Sequence, residues 1–484
     1  MAASAASSYT LGIDLGTSAV KVVALDGAGR VAASGSGDFP TISDLPGQAE
    51  QNPADWLDAL ARAMGSLDSV LEADAPGWRA RVAAIGLAGQ LPTLVCMDGR
   101  GALGPAITWK DARADGWATK HIDARRRRAL YERTGMPIDG RYLGPMLRYH
   151  WPAHRDGLAC VFSAKDYLCY ALTGVCLTDP STAAGFGAYD LASEAFAPDL
   201  CAQWDLPLAA LPPVRPAHSQ AGVLSDAGAR LLGLAPGIPV TVGAADSVAG
   251  AYALAGLEEG VVCVSMGSST IIIDAVRERR LDPATRYLVT PHVQAQWYGR
   301  EMDLLATGTG HRWLSGLFGW DEGELDGHAA RSEPGANGLT FAPYLAGGEQ
   351  GALWNPSLTG MLGGLNLRHA PADIARAFLE GVYFEIRRCI DVLAESAPVK
   401  GIVVTGGIVE HATSLQMLAD ILQQPVQPAR VVSAAAEGAG RGARALLGEA
   451  HVPAAGAERL ATVLPGADSA GYQLLYTQYR AVHH

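Results

Sequence analysis

The sequence predicts an α/β protein made of two domains of similar plan that face each other across a cleft. Three observations predict it. Apolar strand-like runs alternate with amphipathic helical stretches, 484 residues exceed what one hydrophobic core serves, and a short motif of the first half recurs in the second. Runs at 10–15, 19–25, 81–87, 261–266 and 401–405 are rich in Leu, Ile and Val and read as strands. In "RHAPADIARAFLEGVYFEIRRCIDVLAE", Pro371 suits a first helical turn. Ile374, Phe378, Val382, Ile386 and Ile390 then recur every fourth residue as a core-facing stripe. "IDLGTS" at 13–18 is echoed by "VSMGSS" at 264–269, and "AAIGLAGQ" at 83–90 by "GIVVTGG" at 401–407. Two halves that each open on such a hairpin place a ligand cleft between them. A boundary near residue 250 gives domains of 1–250 and 251–484.

Composition narrows the classes. Hydrophobic residues at 49% with 18% charged describe a packed globular chain. A net charge of −12 argues against non-specific binding to nucleic acid or to an anionic membrane. The run Arg125–Arg128 therefore reads as a solvated helix face. Seven cysteines, none in a Cys-x-x-Cys pair, read as reduced and mostly structural thiols. The start "MAASAASSYT" has no basic residue before Lys21 and no apolar signal core, and no apolar run is long enough to span a bilayer. The expectation is a soluble, cytoplasmic protein.

The stretch "LGIDLGTSAVKVVAL" at 11–25 places Asp14 and a Gly16-Thr17-Ser18 turn between two apolar runs. One reading is a solvent-facing hairpin turn. The other is a phosphate loop, in which Gly16 admits a phosphate, Thr17 and Ser18 donate hydrogen bonds and Asp14 holds hydrated Mg²⁺. Asp246, in "PVTVGAADSVAGAYAL", is either a helix N-cap or a carboxylate with room for a ligand. No P-loop, His-Glu-x-x-His or Gly-x-Ser-x-Gly motif suggests another chemistry.

These segments, taken in order, carry a resemblance. "GIDLGTSAVK" (12–21), "GLAGQ" (86–90), "TWKDARA" (108–114), "SAKDYLCYALTGVCLTDPSTAAGFGAYDL", "GAADSVAGAYALAGLEEGVVCVSMGSS" and "GLTFAPYLAGGEQGALWNPSLTGMLGGLNLRHAPADIARAFLEG" resemble successive signatures of the FGGY family of carbohydrate kinases. "VVTGGIVEHATSLQMLAD" and "AAAEGAGRGARALLG" complete the series, so the likeness runs from about 9 to 448. Within the family the chain is most similar to the xylulose kinases.

The resemblance implies two actin-like, ribonuclease-H-like domains flanking an inter-domain cleft that holds ATP. It implies Mg²⁺ held near Asp14 through water, and phosphate contacts from Gly16, Thr17, Ser18, Lys21, Gly267, Ser268 and Ser269. Gly308, Gly406, Gly407 and His411 fall beside the nucleotide, and Asp246 falls at the general base. Gln90, Leu91, Trp109, Asp111 and Asp246 fall at the sugar. The implied reaction is phosphorylation of D-xylulose to D-xylulose 5-phosphate. Its partner is a small-molecule sugar, with no nucleic acid and no membrane, and a homodimer is compatible.

The chain also departs from the xylulose kinases. Leu91-Pro92 stands where they usually have Met-His, and Ser247 where they have Asn. Gly348-Glu349-Gln350 and Trp354-Asn355-Pro356 replace Gly-Glu-Arg and Trp-Asp-Pro. Another ketose, a deoxy sugar or a polyol is the alternative acceptor, and a non-metabolic actin-like nucleotide switch is the rival class.

Overall fold

A computed structural model describes residues 8–151, 157–321, 323–346, 351–355, 357–448 and 457–483. Gly348-Glu349-Gln350 and Pro356 lie outside the described residues. The opening stretch is a hairpin: Tyr9–Leu15 pairs antiparallel with Ala19–Leu25, with Asp14 opposite Lys21. Both strands are apolar almost throughout because helices cover the sheet, as expected for strands buried on two faces. The second motif repeats the plan, with Val261–Met266 antiparallel to Thr270–Val276.

The echo between halves extends to whole sheets. Val31–Asp38, Ala19–Leu25, Tyr9–Leu15, Val82–Gly89 and Pro239–Thr241 lie side by side, the first two pairings antiparallel and the last two parallel. Tyr298–Leu304, Thr270–Val276, Val261–Met266, Gly401–Gly406 and Val426–Arg430 repeat that order and those directions. Each set of five sits in a seven-stranded sheet. The fold is thus two α/β domains of the actin or ribonuclease-H type, with a cleft between them. The predicted helix runs from Pro371 to Ala394, and Phe378, Val382, Ile386 and Ile390 of its stripe are buried in the second core.

The two lobes are joined more intimately than a division at 250 suggests. Helix Asp246–Ala255 runs straight through that position. Helix Ala434–Leu446, from the far end of the chain, packs on the first sheet instead of the second. Neighbouring Gly12 and Gly86 make this possible: a Cβ on either would stand 1.8 Å from a carbonyl oxygen of that helix, Ala436 O or Ala439 O. Gly438 in turn lets the helix touch Asp246–Ala255, since a Cβ there would meet Ala249 O at 1.9 Å. The smallest side chains thereby seat one helix against the first sheet and the helix that carries Asp246.

A smaller sheet, in the order Glu50–Gln51, Ala106–Thr108, Thr93–Met97, Cys160–Phe162, leans over the cleft and carries Leu91, Pro92 and Trp109 at its ends. Five of the seven cysteines are buried. No helix among the described residues is long and apolar enough to cross a membrane.

Gly86→Val should lower stability by at least about 3 kcal/mol, because backbone is the obstacle and cannot move aside. Gly65→Ala, at an exposed position of helix Pro53–Asp74 with nothing within 4 Å of the new methyl, should raise it by about 1 kcal/mol. Denaturant unfolding of the two variants beside wild type measures both.

Candidate active site

Asp246 opens helix Asp246–Ala255 directly after the short strand Ala244–Ala245, which pairs with the end of Val82–Gly89. A buried ion network fixes this junction. Lys165, 1% exposed, lies 2.8 Å from Asp166 and 3.1 Å from Asp179, and its ammonium donates to Val242 O at 3.0 Å. Ser181 donates to Asp179 and accepts the Ala245 N–H at 2.9 Å. The backbone entering the helix is therefore gripped at both Val242 and Ala245. Its own Oδ1 accepts the Ser247 N–H at 2.9 Å, so the carboxylate steadies the helix start and still faces open space.

That space is a cavity of about 140 Å³ walled by both lobes. From the first come Thr17, Leu91, Pro92, Trp109, Met136, Arg141, Asp246 and Ser247; from the second come Ser269, Ile271, Leu288, Thr290, Glu301 and Asp303. Burial, then repulsion from Asp14, raises Asp246 from the ordinary 3.8 to about 8. Burial raises Asp14 to about 6 against the pull of Lys21. A base poised near neutral pH suits proton abstraction from a hydroxyl.

A second cavity, of about 420 Å³, opens on the other side of the second hairpin. Gly267, Ser268 and Lys21 face it, whereas Ser269 and Thr17 face the Asp246 cavity, so the two hairpins stand between the two spaces. Helix Thr307–Phe318 points its N-terminus at the same place, with Thr309 N–H donating to Ser268 O at 3.0 Å. A helix start among glycine turns is suited to anionic phosphate. Gly308 is pressed so close that a Cβ would lie 2.2 Å from Gly267 O; Gly406, at φ +100°, would bring one to 1.9 Å from Met266 O. Gly407 and His411 line the far wall with Ile408, Phe378 and Tyr383. There Asp326 accepts from Ser414 and lies 2.9 Å from His311 and 4.0 Å from His411. This space and its lining fit a nucleoside triphosphate. Asp14 lines neither cavity, but its Oδ1 is buried with no protein partner, an oxygen a cation would match. Among the described residues no three carboxylate, histidine or cysteine side chains gather as a metal cage.

Several expected residues stand differently from the expectation. The Gly16 and Gly267 N–H groups are consumed within their own turns, by Ala19 O and Ser269 O, so they are not directed at a phosphate. Ser18 is exposed at the hairpin tip. Gln90 lies behind the cavity: its amide donates to Gln51 Oε1 at 2.9 Å, and Gln51 donates to Thr17 O at 2.7 Å, a relay that braces the first turn. Asp111 is also absent from the cavity lining. Burial alone would raise its carboxyl, but His150, Arg113 and the Ala49 N–H hold it well below the ordinary range in a structural cluster. Trp109 does line the cavity and donates to Thr17 Oγ1 at 3.3 Å. Leu91 makes an apolar wall against Gly185, where a Cβ would come within 2.6 Å of it. Arg141, Glu301, Asp303 and His311 were not singled out by the sequence. Glu301 and Asp303 had one visible signal, two acids at strand spacing in "YGREMDL", which by itself reads as a wet sheet face.

The FGGY carbohydrate kinase profiles match this chain at residues 9–253 (N-terminal domain) and 262–445 (C-terminal domain). The chain is 30% identical over 424 residues to the xylulose kinase of Bacillus subtilis (strain 168), covering 86% of this chain and 84% of that one. It is 28% identical to the gluconokinase of Bacillus licheniformis, over 87% and 84%. Among solved structures, the xylulose kinase from Rhodospirillum rubrum superposes with a TM-score of 0.86 at 29% identity, over 98% of each chain.

Two variants probe the site's electrostatics. Lys165→Met leaves two buried carboxylates without their cation and should cost about 3–5 kcal/mol in denaturant unfolding. Asp246→Asn acts the other way. Asp246 holds its proton up to about 8 in the fold and only to 3.8 when unfolded, so stability falls as pH rises through that window. The ligand-free variant should melt above wild type at about pH 8, by a gain on the order of a few kcal/mol that vanishes toward about pH 4.

Proposed function

The chain belongs to the FGGY family of carbohydrate kinases, and from that premise we propose that it phosphorylates D-xylulose to D-xylulose 5-phosphate with ATP. The observation that carries the reading is the position of Asp246, in a cavity closed by both lobes and adjoining the hairpins that front the nucleotide space. The named xylulose kinases at comparable length and fold support the choice of sugar.

Phosphoryl transfer asks the protein for alignment and charge neutralisation more than for covalent chemistry. In this reading the acceptor hydroxyl donates to the Asp246 carboxylate, and its oxygen attacks the γ-phosphorus. The proton passes to Asp246 as the bond to the β-phosphate oxygen breaks and ADP departs. Ser268, Lys21 and the N-terminus of helix Thr307–Phe318 hold the phosphate chain from one side, and Thr17 and Ser269 border it at the sugar. Mg²⁺, when bound near Asp14, would supply charge neutralisation at the phosphate oxygens. Apolar Leu91, Pro92, Met136 and Ile271 keep water, the competing nucleophile, out of the sugar cavity. The reaction belongs in the cytoplasm, where ATP is supplied. Leu91 and Pro92 also favour a second reading, another ketose, deoxy sugar or polyol, because neither side chain reads a hydroxyl there.

Asp246→Asn should keep the fold and ATP binding while sugar-dependent ADP release falls by about 10²–10⁴-fold. A coupled ADP assay across pentuloses, hexuloses, aldoses and polyols decides the acceptor. Strong stimulation by D-xylulose supports the proposal, and stimulation only by another sugar refutes it.

A further inference from the structure

Two carboxylates of the second lobe reach the sugar cavity and take part in none of the steps above. Glu301 and Asp303 stand two apart on strand Tyr298–Leu304, so both leave the same face, toward Asp246, while Met302 between them enters the core. Glu301 is 6% exposed and accepts the Ser247 hydroxyl at 3.0 Å. Oδ1 of Asp303 is buried and has no protein partner. Burial and the neighbouring Asp303 push Glu301 far above the ordinary range, and burial takes Asp303 to about 7. Apolar residues would fill this wall at no such cost, as Ile271 and Leu288 do beside them. Buried carboxyl oxygens left without partners inside the protein are matched when a ligand brings donors.

The lining sets three carboxyl groups, at Asp246, Glu301 and Asp303, against one guanidinium among the described residues, Arg141. Asp139 already engages that guanidinium, accepting its Nε–H at 3.1 Å. We propose that Glu301 and Asp303 are the specificity residues of the acceptor site: they accept hydrogen bonds from sugar hydroxyls and select an uncharged polyhydroxy sugar over a sugar acid. The proposal rests on the kinase reading of this cavity. Hydroxyls donate to both carboxyl groups, whereas an aldonate would bury its own carboxylate where burial already disfavours the ionised forms of Asp246, Glu301 and Asp303 and where the guanidinium in the lining is already engaged by Asp139.

The test compares the full chain with Glu301→Gln, Asp303→Asn and the double variant, each checked for folding by thermal melting. Calorimetric binding and ADP release are measured with D-xylulose, D-ribulose and xylitol against D-gluconate and D-xylonate. Wild type should favour its best uncharged sugar over either aldonate by at least about 100-fold. The double variant should raise KM for that sugar about 10–100-fold with kcat changed far less, and should narrow the preference over aldonates about tenfold. An aldonate bound better than every uncharged sugar, no uncharged sugar bound at all, or a double variant unchanged in both KM and preference overturns the proposal. Absence of ADP release with D-xylulose refutes the proposed function instead, and the binding preference is still read. If the double variant does not fold, Glu301→Gln and Asp303→Asn decide singly by the same KM and preference readouts, and a folded single variant unchanged in both overturns the role of that residue.

Discussion

One ammonium sets the geometry on which the rest of the site depends. Lys165 sits where water does not reach, between Asp166 and Asp179, and holds the Val242 carbonyl. A buried ion pair is weak evidence of net stability, because desolvation of both charges offsets their attraction. Its effect here is positional. Through Asp179 and Ser181 the same network grips the Ala245 N–H, so the backbone on the N-terminal side of Asp246 cannot drift. The Asp246 carboxylate, the proposed base, is aimed by charges that line neither cavity.

What that aim costs is visible in the acids around it. Asp14, Asp246, Glu301 and Asp303 are all raised, with burial the largest cause in each case. A fold optimised for stability alone would not collect them. The expense is contained because the lobes are bound together elsewhere by close packing: helix Ala434–Leu446 lies on Gly12 and Gly86 and against the Asp246 helix. Glycines on both sides let backbones meet directly, and a helix from the C-terminal half of the chain becomes part of the first lobe's structure. The cleft can then carry electrostatic strain without the two lobes losing register.

Much of this was legible in the sequence. The two hairpins, the strands at 261–266 and 401–405 and the long helix follow from apolar runs and a four-residue stripe, signals that burial imposes directly on composition. The repeated motifs pointed to repeated sheets because a strand-turn-strand needs neighbours to be stable. Asp246 was legible as an acid among small residues. The seat of helix Ala434–Leu446 was not, since "AAAEGAGRGARAL" announces close packing but does not say against which surface. Asp111 and Gln90 were harder to read for the opposite reason: a polar side chain near a motif looks the same whether it faces a ligand or is engaged, as Asp111 is by Arg113 and the Gln90 amide is by Gln51. Glu301 and Asp303 stayed hidden because alternation marks two faces of a strand without saying which is wet.

The central claim is that closure of two lobes brings a triphosphate up to a sugar held by Asp246. Its most direct test is a crystal structure with a non-hydrolysable ATP analogue and the accepted sugar bound together. The account predicts one sugar hydroxyl within about 2.6–3.2 Å of the Asp246 carboxylate and facing the γ-phosphorus. A sugar bound away from Asp246, or a γ-phosphate pointing out of the cavity that both lobes wall, would contradict it.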